Sequence, residues 1–389
     1  MKIYLPKLNT LSRLGIFLLC IKVCLSCSTI FYPGAAADNL LSVCGAACLL
    51  LALCTRHYTP KAVFVHAALL LTALYTAWSA KNFTILITVL SGLAMYREEP
   101  ESMLDILFKT ELAFLVIQLG AACLLAVTSD FLLGRSFSGS GIRYTFGFTH
   151  PNLLSLFLCN LILIWCYQNY ARLTLKHYAL VMLAAGTIFL FTKTRTALIA
   201  ETLFVLLLIW QKKSKKSRVL SATAAILPIA LCLLTAAAAA LYTKSSIFVQ
   251  LDNLLSGRIK LAAYAYSHYG VTMFGQDLTG RTVQWDPVWR LNAHTFDNAY
   301  AFLGINLGSI WLIILLIGAL WLGLRGPKKA LPFFILWAFY GFTEVNALNA
   351  YLLFPVLLPV LRAPQAKTEL HDRAHTEKAV QKGRMPCQN

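Results

Sequence analysis

Residues 212–242 read KKSKKSRVLSATAAILPIALCLLTAAAAALY. A cluster of lysines and one arginine runs straight into an apolar stretch, Val219 to Tyr242, that contains no charge at all. A bilayer core takes about 20 apolar helical residues, so this stretch predicts a membrane-spanning helix. The basic run before it predicts the cytoplasmic end of that helix, because short loops rich in Lys and Arg stay inside.

The same alternation extends in both directions. Apolar runs fall at 14–32, 38–54, 61–79, 82–96, 110–128, 151–170, 178–192, 196–210, 298–324, 330–345 and 347–362. With 219–242 they predict an all-α integral membrane fold of about 12 transmembrane helices occupying residues 1–362, with short members at 82–96, 178–192, 196–210 and the last pair. Composition agrees: 58% of the 389 residues are hydrophobic, 13% are charged, and mean hydropathy is +0.67. A soluble domain of this length needs no such balance. The first run contains Lys22 and is too long for a signal-peptide core, so it is expected to stay as an anchor.

The net charge of +18 does not point to nucleic acid. Its lysines and arginines sit between apolar runs, as topogenic charge does. The cysteines, lying almost all in or beside those runs, read as small apolar packing residues, and no ligand spacing predicts a metal.

Basic connections at Arg56 and Lys61, Arg97 and Lys109, Arg172 and Lys176, Lys212–Arg218 and Arg325–Lys329 alternate with cation-poor ones. This predicts that both termini lie inside, the second as a basic polar tail over 363–389. The opposite face then carries Ser129–His150, the turn Thr192–Arg195, a large loop over 243–297 between the ninth and tenth spans, and a turn around Glu344. A long loop rich in aromatics and apolar periodicity is more readily functional than disordered.

That outer face keeps cations against the topological trend. Arg143 lies in GIRYTFGFTHPN, residues 141–152, just before a span that opens with Pro151. A helix N-terminus beside an arginine suits an anion, whereas capping by Thr149 or His150 would be purely structural. Arg195 is a lipid-phosphate contact or a ligand for a bound phosphate. Arg258 opens a stretch whose Ile259, Ala262, Ala263 and Tyr266 share a helical face, predicting a helix on the membrane surface. Trp285 and Trp289 read as interfacial tryptophans before sugar-stacking ones. Lys22 and Glu201, inside apolar runs, are expected to face the protein interior; for Glu201 an ion pair with Arg195 and a catalytic role both stand open. At the end of the loop, HTFDNAY places His294 and Asp297 as alternative general bases, with a helix N-cap as the structural alternative for Asp297.

Taken in order, Arg-x-x-Phe-Gly-Phe-Thr-His-Pro-Asn, Thr-Arg-Thr-Ala, Ser-Gly-Arg and Asp-Asn-x-Tyr resemble the Wzy-type polysaccharide polymerases and O-antigen ligases, over residues 140 to 360. The resemblance implies a GT-C-like glycosyltransferase in the bacterial cytoplasmic membrane, acting outside on undecaprenyl-diphosphate-linked oligosaccharide without cofactor or metal. It implies diphosphate binding by Arg143, Arg195 and Arg258, catalysis by Asp297 or His294, and substrate contacts from His150, Asn152, Asn298, Tyr300 and Glu344. Ligases of the family carry His-Asn-x-Tyr where this chain has Asp297-Asn298-Ala299-Tyr300, which favours a polymerase. A polymerase implies a flippase and a chain-length regulator as partners beside membrane lipid. From another class, a flippase or exporter of lipid-linked saccharides would share the helices and the cations, although no internal repeat of the transporter kind is visible.

Overall fold

The computed structural model describes residues 8–56, 58–96, 100–126, 135–138, 141–213, 217–255, 257–279, 289 and 296–359. His294, Trp285 and the tail 363–389 lie outside the described residues.

The chain is a multi-pass helical membrane protein. In order, its helices are α1 (Leu8–Ser26), α2 (Ala35–Cys54), α3 (Pro60–Ala80), α4 (Thr84–Met95), α5 (Pro100–Ala126), α6 (Pro151–Gln168), α7 (Leu175–Thr192) and α8 (Arg195–Lys213). There follow α9 (Ser217–Leu241), α10 (Ser246–Leu254), α11 (Arg258–Tyr269), α12 (Ala299–Phe302), α13 (Ser309–Arg325) and α14 (Leu331–Gly341). Among the described residues, seven helical stretches are long and apolar enough to cross a membrane, and α4 is a shorter apolar helix. The helix expected over 178–192 starts earlier, at Leu175, where Thr174 and His177 form a reciprocal capping box.

Two expectations need correction. Residues 347–359 form no α-helix: they make 3₁₀ turns at Val345–Leu348 and Phe354–Leu357. Pro355 and Pro359 remove backbone donors there, and the Asn349 side chain accepts from Tyr351 N at 3.0 Å, competing with a helical bond. Beside the helices of this all-α fold, one short hairpin, β1 (Arg135–Ser138) and β2 (Gly141–Tyr144), pairs antiparallel before α6, with Arg143 opposite Ser136. Finally, α11 buries Ile259, Ala262 and Ala263 against protein, chiefly α9, while Tyr266 is 43% exposed.

Burial divides the helices into centre and rim. Of α6, 72% of the spanning window is buried inside the protein, against 17% for α3. All but Phe339 of α14 is buried; Phe333 packs against Tyr167 of α6, Phe204 of α8 and Phe354 of the closing turns, while Trp337 stacks on Phe334 and donates to Ala347 O at 2.7 Å. Charges inside the helices are partnered, as a low-dielectric surrounding demands. Lys22 lies 3.4 Å from Asp38 across α1 and α2. Glu111, fully buried on α5, accepts from Asn160 Nδ2 at both carboxylate oxygens, at 2.9 and 3.0 Å, and Asn160 Oδ1 in turn accepts from Phe354 N at 2.9 Å. Glu201 is buried against Cys159 of α6, not paired with Arg195.

The helix after the long loop is interrupted. A π-helical stretch, Leu303–Gly308, separates α12 from α13, and Gly308 takes φ +107°. An extended segment from the loop satisfies the disturbed backbone: Ser309 N donates to Thr272 O at 2.9 Å, Ile310 N to Met273 O at 3.2 Å, and Gln276 N to Asn306 O at 2.9 Å. Asn306 returns a bond to Gln276 O at 3.0 Å, and Gln276 Nε2 donates to Ile305 O at 2.9 Å. Irregular backbone beside a membrane helix persists only when it is satisfied in this way.

Candidate functional site

At the bundle end that carries the β1–β2 hairpin, the segment before α6 is fastened to the end of α1. Thr29 N donates to Gly147 O at 2.8 Å and Thr149 N to Cys27 O at 2.9 Å. Ser28 Oγ donates to Gln118 Oε1 at 2.9 Å, and Gln118 Nε2 donates to Phe146 O at 3.2 Å. Gly147 has φ +77°, and a Cβ there would come within 2.4 Å of both Gln118 Nε2 and Ile30 Cδ1. Only glycine fits.

This brace fixes Arg143 on β2. Its Nε donates to Thr192 O at 2.8 Å, and its Nη2 donates to Asn152 Oδ1 at 2.7 Å and to Thr194 Oγ1 at 3.3 Å. One guanidinium thus ties together the hairpin, the start of α6 and the α7–α8 turn. Lys193 occupies that turn at φ +53°. The stretch Thr194–Ala197 therefore reaches the cluster through Thr194, while Arg195 is exposed at the start of α8. In the sequence Thr192 and Thr194 are marked only as members of an outer turn, because their role is to receive Arg143 from another element, which no local pattern announces.

Asn152 carries the network onward, its Nδ2 donating to Glu344 Oε2 at 3.4 Å. Asn346 Nδ2 donates to the other carboxylate oxygen at 3.3 Å. Glu344 is 8% exposed, and burial pushes its carboxyl up to about 7, with the Arg258 charge pulling down and Asp297 pushing up. His150 caps α6, its Nδ1 accepting from Asn152 N at 3.2 Å ahead of Pro151 at the first helical position. Partial burial, then Arg143, hold His150 below the usual imidazole value, and Arg258 adds to this while Asp297 opposes it. Arg143 is itself held below the ordinary guanidinium value by partial burial and by the charge of Arg258.

Arg258 enters from the long loop. Asp252 accepts from Ile259 N at 2.8 Å and Lys260 N at 3.0 Å, so it caps α11 and fixes its first residue, Arg258. Arg258 Nε lies 3.9 Å from Asp297 Oδ2, beyond hydrogen-bonding reach, and is a buried donor with no hydrogen-bond acceptor. An unsatisfied buried guanidinium donor is uncommon and disposes the site toward an added acceptor.

The N-cap of α12 is Asn298. Its Oδ1 accepts from Tyr300 N at 2.9 Å and Ala301 N at 3.0 Å, while Nδ2 donates to Thr235 Oγ1 and Phe342 O. Tyr300, 2% exposed, donates its hydroxyl to Ala338 O at 2.9 Å. Both side chains therefore spend their polar atoms inside the protein. Asp297 is left beside Arg258 with its side chain 43% exposed.

The arrangement brings together Arg143, Arg258, His150, Asn152, Asp297 and Glu344, from residues scattered over some two hundred positions. Two cations with an unfilled donor suit a di-anion, and two carboxylates beside them can take up a proton. Comparison with known proteins finds no matching family model, curated protein or solved structure for this chain.

Proposed function

We propose that the chain is a membrane glycosyltransferase that polymerises undecaprenyl-diphosphate-linked oligosaccharide repeat units into a surface polysaccharide. The observation that carries this reading is the convergence of Arg143 and Arg258, one with an unfilled donor, on the two carboxylates of Asp297 and Glu344. The reaction forms a bond from an acceptor hydroxyl oxygen to the anomeric carbon. It breaks the bond from that carbon to the diphosphate, which leaves with both electrons. Fixed guanidiniums lower the barrier by meeting charge as it develops on the diphosphate. Arg143 and Arg258 take that role, with Arg195 at the exposed rim as a contact for the lipid phosphate.

The hydroxyl proton needs a base. Sequence position favours Asp297, with His294 as the alternative, but a base works best when its proton affinity lies near the working pH. Glu344, pushed up to about 7, meets that condition. We assign proton acceptance to Glu344 and the orientation of Arg258 to Asp297. Asn298 and Tyr300 are positioning residues that hold Asp297 at the mouth of α12. His150 and Asn152 present Arg143 and Glu344 to the substrate.

The test is complementation of cells that lack the chain. Arg143→Ala or Arg258→Ala should leave single repeat units attached to their carrier and little polymer on a carbohydrate gel. Normal chain lengths from both variants would overturn the reading. Accumulation of carrier-linked units on the cytoplasmic side would instead identify a flippase.

A further inference from the structure

Next to the turn that carries Glu344, and lined by its neighbours Val345 and Asn346, lies a cavity of about 360 Å³. Its walls come from the α3–α4 connection with the first residue of α4, the segment leading into α12 with the last residue of that helix, and the 3₁₀ turn after α14, with Asn82, Thr84, Phe296, Phe302, Asn346 and Asn349 among the lining residues. Those elements are bolted together. Thr88 Oγ1 donates to Leu348 O at 3.1 Å, and Ser91 Oγ shares a hydrogen with Tyr351 at 2.7 Å. The volume falls in the range of roughly 300–1,000 Å³ typical of small-molecule sites.

The lining has a definite chemistry. Among the described residues no charged side chain faces this cavity. Each asparagine spends one amide atom on the wall: Asn82 Oδ1 accepts from Thr84 N at 3.0 Å, Asn349 Oδ1 accepts from Tyr351 N at 3.0 Å, and Asn346 Nδ2 donates to Glu344 at 3.3 Å. Two amide donors, one amide acceptor and the Thr84 hydroxyl remain for a ligand. Phe296 and Phe302, with ring centroids 5.1 Å apart at 67°, supply apolar faces. Neutral donors and acceptors beside aromatic faces match a ring that carries hydroxyls on its edge and C–H groups on its face. A phosphate would find no cation among the described lining residues.

We propose that this cavity is a binding subsite for an uncharged saccharide, the acceptor glycan of the transfer reaction. The inference rests on the glycosyltransferase reading and adds to it a second pocket. Asn346 joins the two, since it lines the cavity and also holds the Glu344 carboxylate, whose other oxygen faces Asn152 and hence the arginines. The acceptor hydroxyl and the diphosphate thus meet at Glu344, which Asn346 links to the cavity and Asn152 links to Arg143.

The experiment is photo-crosslinking of the full chain in the membranes of its own cells. p-Benzoylphenylalanine replaces Phe302, and in a second variant Thr84, with a control at the exposed Leu183 of α7. After irradiation the purified chain is treated with periodate and a hydrazide tag to reveal attached carbohydrate. The expected result is a carbohydrate-bearing adduct from Phe302 or Thr84 and none from Leu183. It should fall at least tenfold when Asn346→Ala and Asn349→Ala are combined in a chain of unchanged amount and elution volume. Adducts carrying lipid alone, or no adduct at either position in cells that still make polymer, would overturn the subsite and leave the enzyme reading standing. Polymer that persists after deletion of the chain would overturn the enzyme reading, whatever the adducts show.

Discussion

Glu111 and Glu201 lie within the helix bundle, whereas Asp297 and Glu344 lie at its hairpin end. The inner pair meets neutral partners, the Asn160 amide and the Cys159 thiol, and both acids are almost wholly buried. The end pair lies beside Arg258, and Glu344 connects to Arg143 through Asn152. Four acids of the same chemical type therefore do different work. Inside the bundle a carboxyl joins helices through hydrogen bonds, since a lone charge in that surrounding costs several kcal/mol. At the end, cations gather around carboxyls that keep some of their own capacity free.

The most direct break of this contrast is to remove the cations. Arg143→Ala and Arg258→Ala should each lower polymer formation by about 10²–10³-fold, the usual loss of one preorganised donor to developing charge, measured as chain-length distribution in complemented cells. Comparable loss from Glu111→Gln would erase the distinction between the two acid pairs.

Glu344→Gln should cut transfer by a factor on the order of 10²–10⁴, as loss of a general base does. In membranes containing the native chain, transfer should rise as pH climbs through about 7, because the working carboxyl must be ionised and burial holds its proton up to that value. Stability moves the other way. The folded carboxyl keeps its proton above the ordinary carboxylate range, so ionisation subtracts stability from that range upward and the loss is complete once pH has passed about 7. Glu344→Gln should flatten the fall of melting temperature between pH of about 5 and about 8.

Glu111→Ala should destabilise the chain in detergent by about 1–3 kcal/mol, since it leaves the Asn160 amide unsatisfied in the core. Glu111→Gln should recover part of that loss. Gly147→Ala should destabilise by a similar amount, about 1–3 kcal/mol, because it combines a left-handed φ with a Cβ that meets Gln118 and Ile30. Thermal unfolding followed by size exclusion reads both. The smallest effect belongs to Arg195→Ala, expected to be under about tenfold on polymer formation, since an exposed guanidinium is already solvated.

Much of the fold is legible in the sequence. Apolar runs between basic connections locate most helices to within a few residues, because the bilayer imposes both length and charge rules. The stretch 347–362 misled because its hydropathy matches a span while Pro355, Pro359 and Asn349 oppose a helix, and a buried segment can be apolar without crossing anything. For the site, Arg143, Arg258, Asp297 and Glu344 stand out as charges where apolar residues dominate. Thr192, Thr194 and Asn346 do not, since a threonine or asparagine acquires its meaning from a partner far along the chain. The capping of α12 by Asn298 instead of Asp297 is a one-residue distinction that only backbone geometry makes.

The extended segment around Thr272–Gln276 gives the chain an order of assembly. These residues leave the ribosome before Leu303–Gly308, whose irregular turns they will complete. A helix with such a break, released alone into lipid, would hold unpaired amides and carbonyls there. Biogenesis therefore favours a route in which the loop is retained near the insertion machinery until the following span arrives, and the two settle as one unit. Lengthening the stretch between Gln276 and Ala299 should then slow maturation of the protein more than it weakens the finished fold.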